Sequence, residues 1–180
     1  MKIVDLSWFT FSLPKIMNYL VVLSGVPGSG KSYFSNALRN NKEKHVYIIS
    51  SDQIRAEICG DQRDLSQDPL VWKIFYSLVK TYSEDKNGIV ILDATNAKKE
   101  YRINNIKPYK NLYDQVDLVC FHIDKDLVLK QNREREFALP EEALLGLIET
   151  FEMPDEEEKK FFDHLDIITD HNIDKIIKRY

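Results

Sequence analysis

Tyr19-Leu20-Val21-Val22-Leu23-Ser24-Gly25-Val26-Pro27-Gly28-Ser29-Gly30-Lys31-Ser32 joins an apolar run to a glycine-rich loop, and a helix-like stretch from Tyr33 to Asn40 follows. The pattern Gly, any four residues, Gly-Lys-Ser is a phosphate-binding signature when a strand precedes it and a helix follows. Gly25, Gly28 and Gly30 let backbone N–H groups turn inward and approach an anion closely, with Pro27 and Ser29 completing the loop. The helix behind the loop aims its positive end at the same point. Lys31 is placed to reach the β- and γ-phosphates of a nucleoside triphosphate, and Ser32 to hold Mg²⁺. The alternative is a glycine-rich strand–helix turn that binds nothing, and the agreement of motif and context opposes it. ATP and Mg²⁺ are the expected cofactors.

Outward from this loop the chain alternates strand and helix. Strand-like runs are Tyr19–Ser24, His45–Ser50, Gly88–Asp93, Val116–Ile123 and Leu165–Thr169. Their near-continuous Val and Ile content predicts strands buried on both faces. Helical patterns cover Lys31–Asn40, a long stretch from about Pro69 to Tyr82, Lys98–Ile106, Asp126–Phe137, Glu141–Phe151 and a terminal Asn172–Tyr180 capped by Asn172. Alternating units predict an α/β fold, a doubly wound parallel five-stranded sheet covered by helices. Ligands of such sheets bind at the carboxyl ends of the strands. That edge collects the Gly25–Ser32 loop, Ser51-Asp52 and Asp93-Ala94-Thr95-Asn96. The charge-rich segment from about 125 to 163, broken by Pro140 and Pro154, reads as a helical lid.

With 180 residues the chain suits one domain, residues 17–180, and residues 1–16 read as an added arm or as sequence ahead of a true start at Met17. The net charge of −4 disfavours a passive nucleic-acid coat but leaves room for a local basic groove. No run of 18 apolar residues exists, so no membrane helix is expected. Cys59 and Cys120 form no metal-ligand pair or disulfide framework, and Cys120 in an apolar run reads as a buried thiol of the reducing cytosol. The Asn-, Lys- and Ile-rich usage accords with an AT-rich genome, a viral or phage one included. His45, His122, His164 and His171 have no metal-site spacing and read as structural or surface residues.

Asp52 ends the second strand, with Arg55 one helical turn on. A carboxylate there can take the proton of an acceptor hydroxyl, with Arg55 orienting it or binding substrate phosphate. Asp52 can equally be a helix N-cap with a surface partner. Asp93 follows four apolar residues, as a carboxylate that holds Mg²⁺ through water does, and it can also cap the next helix. Arg133 and Arg135 lie on the lid, where an arginine can stabilise transferring phosphate charge, or can belong to a solvated face with Glu134 and Glu136. Asp155-Glu156-Glu157-Glu158 reads as a solvated helix start. Trp72, Phe75 and Tyr76 can stack on a base, and their helical spacing also suits a core.

These pieces together resemble the P-loop kinases typified by polynucleotide 5′-hydroxyl kinases, the group that includes the zeta toxins. The resemblance runs in order through Gly25–Ser32, Asp52-Gln53-Ile54-Arg55, Asp93-Ala94-Thr95-Asn96 and Asn132-Arg133-Glu134-Arg135. It continues through Leu139-Pro140-Glu141-Glu142, Phe151-Glu152-Met153-Pro154 and Phe162-Asp163, covering about residues 19–170. It implies an adenylate-kinase-type sheet with a helical lid, Lys31 and Ser32 on ATP and Mg²⁺, and Asn132 on the nucleotide. It also implies Asp52 as general base, Arg55 on the acceptor's phosphate and Arg135 on the transferring phosphates. The implied acceptor is a 5′-hydroxyl end of RNA or DNA, and the rival acceptor is a small-molecule or modified-nucleoside hydroxyl. The chain departs from the pattern in Gln131, where several members carry Arg. The short interval from Arg135 to Pro140 leaves Arg133 open as the lid arginine. The placing of Asp93 leaves open whether it serves the metal or Arg55. No Asp-x-Asp-x-Thr phosphatase signature and no ligase motif accompanies the kinase motifs.

Overall fold

The computed structural model describes residues 16–40, 43–169 and 172–180. The expectations placed on residues 1–15 and on His171 lie outside the described residues. Five strands form one parallel sheet: β1 (Tyr19–Ser24), β2 (His45–Ser50), β3 (Gly88–Asp93), β4 (Gln115–Phe121) and β5 (His164–Ile168), in the order β2-β3-β1-β4-β5. The helices are α1 (Lys31–Arg39), α2 (Ser51–Cys59), α3 (Asp68–Tyr82), α4 (Lys99–Asn104), α5 (Lys125–Arg133), α6 (Glu141–Glu149), α7 (Glu156–Phe161) and α8 (Ile173–Ile177), with a 3₁₀ turn at Lys110–Leu112.

The apolar runs are buried on both faces because side chains alternate along a strand. Leu20, Val22, Val90, Leu92 and Leu118 point to one side, where Val71, Phe75 and Val79 of α3 meet them. Val21, Leu23, Ile89, Ile91 and Val119 point to the other, against Phe34 and Leu38 of α1 and Ile176 of α8. Each fully buried large side chain contributes roughly 1.5–3 kcal/mol of transfer free energy. The resulting sheet core fixes the strand ends rigidly, and the polar residues at those ends inherit that rigidity.

Several elements differ from the sequence reading. α2 begins directly at the end of β2 with no loop between, because Ser50 caps it by accepting a hydrogen bond from the Gln53 N–H. Asp52 is therefore a first-turn residue and not the cap. α5 starts one residue earlier than expected, capped by Asp124, and stops at Arg133. Residues 134–137 have little to pack against, and Phe137 is 41% exposed. β4 spans Gln115–Phe121, one residue earlier than expected at its start and two shorter at its end. Asn172 precedes α8, but its side chain accepts from the Thr169 N–H and donates to the Ile167 carbonyl, so it closes a turn backwards without capping the helix.

The acidic run opens α7 with Asp155, Glu156 and Glu157 exposed, as read, but its last residue turns inward. Asp155 and Glu158 form a capping box at α7, and Glu158 is fully buried against Arg102 of α4 at 2.6 and 3.0 Å. Phe162 joins the sheet core just beyond it. Residues from Asp155 onward thus belong to the body of the fold, and the lid-like part narrows to α5, α6 and their connections.

Candidate active site

The Gly25–Ser32 loop leaves β1 and feeds α1 as the motif requires. Gly28 has φ +84°, and a side chain there would bring its Cβ to 2.9 Å from the Val128 carbonyl oxygen and 3.3 Å from the Asn132 nitrogen. Backbone strain and the packing of α5 over the loop both demand glycine at this position. Gly25 is excluded from change by a different contact, since its Cβ would meet Phe121 Cβ at 2.9 Å.

Around the loop lies a cleft of about 550 Å³ whose walls include Lys31, Ser32, Asp52, Asp93, Gln131 and Arg135. Lys31 Nζ donates to the carbonyls of Gly25 (2.8 Å) and Val26 (3.1 Å). Burial lowers its pKa, opposed by the carboxylates of Asp93 and Asp52 and assisted by Arg135. Asp93 is pushed the opposite way, upward, by burial, with Lys31 the chief opposing charge. Ser32 Oγ sits 3.5 Å from Asp93 Oδ2.

This oxygen pair fits Mg²⁺, a hard cation that keeps several waters and takes only one or two protein ligands beside substrate phosphates. Among the described residues no cluster of three or more His, Cys, Asp or Glu side chains could hold a metal without such phosphates. Ser29 Oγ is buried with no hydrogen-bond partner, which suits a loop built around an anion.

Asp52 lines the same cleft, within electrostatic range of Lys31. Its Oδ1 accepts from Arg55 Nη1 at 3.1 Å. Arg55 is 6% exposed, and its remaining hydrogen bonds go to Asp68 Oδ1, from Nε at 3.0 Å and Nη2 at 2.8 Å, and to the Gln62 carbonyl. In this arrangement the Arg55 guanidinium is placed to orient Asp52 and is also engaged by Asp68 and the Gln62 carbonyl. Asp93 makes no hydrogen bond to Arg55, so the structure puts Asp93 on the Ser32 side. Neither Asp93 nor Asp52 caps a helix, since Lys98 occupies the cap position of α4.

The two lid arginines separate clearly. Arg135 lines the cleft, within electrostatic range of Lys31 and Asp93. Arg133 is 66% exposed in its side chain and pairs with Glu141 at 2.9 Å on the outer surface. Asn132, expected on the nucleotide, clamps the connection to α6: its amide donates to the Leu139 carbonyl (2.9 Å) and its Oδ1 accepts from the Leu139 N–H (3.1 Å). That clamp sets where the turn carrying Arg135 comes down. Gln131 also lies on the cleft wall.

A second cavity of about 650 Å³ opens beside the first and shares Ser51, Asp52 and Thr95 with it. Its other walls include Arg55 and Leu147 beside the aromatic and amide side chains of Trp72, Tyr76, Tyr101, Asn96 and Asn105. Burial pushes the Tyr76 hydroxyl up to about 12, so it stays a hydrogen-bonding phenol across the ordinary pH range. Phe75, by contrast, is 1% exposed and is core only.

The loop between β3 and α4 forms the floor shared by the two cavities, and sequence reading found only half of what holds it. Asn96 has φ +43°. Its amide donates to the Leu23 carbonyl, and its own carbonyl accepts from Ser24 Oγ and from Arg102 Nη1. Gly25 N–H donates to the Thr95 carbonyl, tying this loop to the phosphate loop at 2.9 Å. Arg102 is 0% exposed and joins the loop to Glu158. The spacing Asp155-x-x-Glu158 is a capping-box signal and could have identified Glu158 as an inward-facing residue. Arg102 carries no such local mark.

Against known proteins, a family model described as an AAA domain (AAA_33) matches residues 20–154. The protein kti12 of Schizosaccharomyces pombe is 27% identical over 147 residues, covering 75% of this chain and 52% of that protein. The L-seryl-tRNA(Sec) kinase of Methanococcus maripaludis is 28% identical over 149 residues, covering 75% and 53%. The chain thus spans about half the length of these curated relatives. Among solved structures, Chaetomium thermophilum Kti12 in complex with ADP-AlF3 superposes with a TM-score of 0.68 at 17% identity, covering 89% of this chain and 96% of that one, a likeness of fold.

Proposed function

The chain belongs to the AAA_33 family, and from that premise and the cleft we propose that it is an ATP-dependent kinase acting on a nucleic-acid hydroxyl, the 5′-OH end of RNA or DNA. The observation that carries the reading is the position of Asp52. Its carboxylate lines both the cleft of Lys31, Ser32 and Asp93 and the aromatic cavity next to it. A phosphoryl donor in the first and an acceptor hydroxyl in the second meet at this side chain.

As the acceptor oxygen attacks the γ-phosphorus, its proton passes to Asp52 and the bond to the ADP oxygen breaks. Arg55 holds the carboxylate in place. Lys31 and Arg135 meet the negative charge that spreads over the transferring oxygens. Ser32 and Asp93 would hold Mg²⁺, which supplies further charge neutralisation at the phosphates. The kinase relative named for seryl-tRNA supports an acceptor hydroxyl carried on nucleic acid.

The decisive assay is transfer of labelled γ-phosphate from ATP to a short 5′-OH oligonucleotide, with a nucleoside mixture in parallel. Asp52→Asn should lower kcat by about 10²–10⁴ while ATP still binds. Near-normal turnover in that variant removes the base assignment.

A second reading, a kinase of a small-molecule or modified-nucleoside hydroxyl, is favoured by one observation. Arg55 already faces Asp52, Asp68 and Gln62, so the aromatic cavity offers no free cation for an acceptor phosphate. Salt separates the two, because polynucleotide binding weakens steeply with ionic strength and binding of a neutral acceptor does not.

A further inference from the structure

The aromatic wall does not end at the acceptor-side cavity. Trp72 and Tyr76 also line a neighbouring open cavity of about 490 Å³, together with Tyr109, Lys73 and Lys80. Trp72 and Tyr76 have ring centroids 6.1 Å apart and planes inclined by 25°. Tyr76 and Tyr109 are 5.7 Å apart and inclined by 8°. Three near-parallel, offset rings therefore run away from Asp52, each only partly buried.

The charge beside these rings is equally specific. Trp72, Tyr76 and Lys80 recur every four residues on one face of α3, and Lys73 lies next to them. The face from 72 to 80 extends about 12 Å at 1.5 Å per residue. Lys73 and Lys80 are exposed and form no ion pair among the described residues, and no carboxylate lines this cavity. In a chain of net charge −4, two unpaired lysines beside three flat rings make a local surface of the opposite character.

We propose that this face of α3, with Tyr109, is a platform for single-stranded nucleic acid, receiving the nucleotides that follow the reacting 5′ end. Bases pack against the accessible parts of Trp72, Tyr76 and Tyr109, and backbone phosphates pair with Lys73 and Lys80. This rests on the nucleic-acid reading of the acceptor, and it explains how such a strand is held although the Arg55 guanidinium is already engaged by Asp52, Asp68 and Gln62.

The test is direct binding of a fluorescently labelled 5′-OH dT8 by anisotropy, run alongside phosphate transfer to the same oligonucleotide. The double variant Lys73→Glu/Lys80→Glu should raise Kd about tenfold or more and flatten the slope of log Kd on log salt by about 1.4, the loss of two single-strand phosphate contacts. Tyr109→Ala should raise Kd about tenfold with the salt slope unchanged. The lysine variant sits on the surface and keeps the test open if Tyr109→Ala fails to fold. Absent dT8 binding, or a Kd and slope unchanged in the lysine variant, overturns the platform; a surface that captures a protein partner instead falls under that outcome. Binding with the expected variant effects but no transfer to the 5′-OH keeps the platform and removes the 5′-kinase reading.

Discussion

At Asp93 the proposed metal role and stability pull in opposite directions. Burial raises its pKa above the ordinary 3.8. A carboxyl with a higher pKa in the folded state binds its proton more tightly when folded, so its contribution to stability is full below about 3.8 and is lost as pH rises through the raised value. In its ionised form the group works against folding, and a cation beside Ser32 would relieve it. Asp93→Asn should therefore raise Tm at pH 7 without divalent metal, and the gap to wild type should close as pH falls toward 4. The same variant should lose Mg²⁺-supported turnover. A lower Tm at pH 7 would contradict the sign. The lid arginines provide a second contrast. Arg135→Ala should cut kcat by about 10²–10³, whereas Arg133→Ala, whose surface pair with Glu141 is worth about 0–1 kcal/mol, should stay near wild type in steady-state kinetics. Sequence reading named Arg135 through the resemblance but left Arg133 open, because the choice depends on where the turn after α5 descends. The clamp of Asn132 on Leu139 determines that, and an amide bonding to the backbone seven residues on leaves no sequence signature.

At the level of elements, strands were legible and connections were not. Two-sided burial writes itself into β1, β3 and β4 as runs of Val, Ile and Leu, so their positions follow from composition. α2 carries no comparable signal: it spans nine residues and follows its strand without a break. α4 is shorter still, and its importance lies in Arg102, whose buried contacts are 56 residues away at Glu158 and in the loop after β3. This pair yields a prediction about the loop and not only about stability. Glu158→Ala leaves a buried guanidinium unpaired and should destabilise the fold by about 3–5 kcal/mol in denaturant titrations. Replacing both partners with apolar residues, Arg102→Met with Glu158→Leu, should recover most of that stability. It also removes the donors to the Asn96 and Ala97 carbonyls, so the floor carrying Thr95 should loosen and kcat should fall even where the protein is folded. Stability and kcat recovering together in the double variant would show that Arg102 acts only as packing.

Over the whole molecule, the parallel sheet brings three distant stretches of chain to one edge, and this was the most legible feature of all. Strand–helix alternation gives the parallel sheet, and a parallel sheet gathers its ligand residues at the carboxyl ends of its strands. Ser24, Ser50 and Asp93 close β1, β2 and β3 side by side, with Ser50 registered directly against Asp93. A ligand at that edge touches the phosphate loop, α2 and the β3–α4 loop together, and so should stabilise the sheet as a unit. No helix among the described residues is long and apolar enough to cross a membrane. ATP with Mg²⁺ at about one hundred times its Kd should add roughly 2.7 kcal/mol, which for a chain of this size corresponds to a rise in Tm of about 5–11 °C. The increment belongs to one edge but to several elements, so it should respond to substitutions on each of them. Gly28→Ala, strained at φ +84° and pressed against the Val128 carbonyl, should abolish the increment. Asp93→Asn should keep the part due to ATP and lose the part due to Mg²⁺. Asp52→Asn should keep both if its carboxylate serves the acceptor's proton, as proposed; an increment lost in Asp52→Asn would instead place that side chain among the groups that bind the nucleotide.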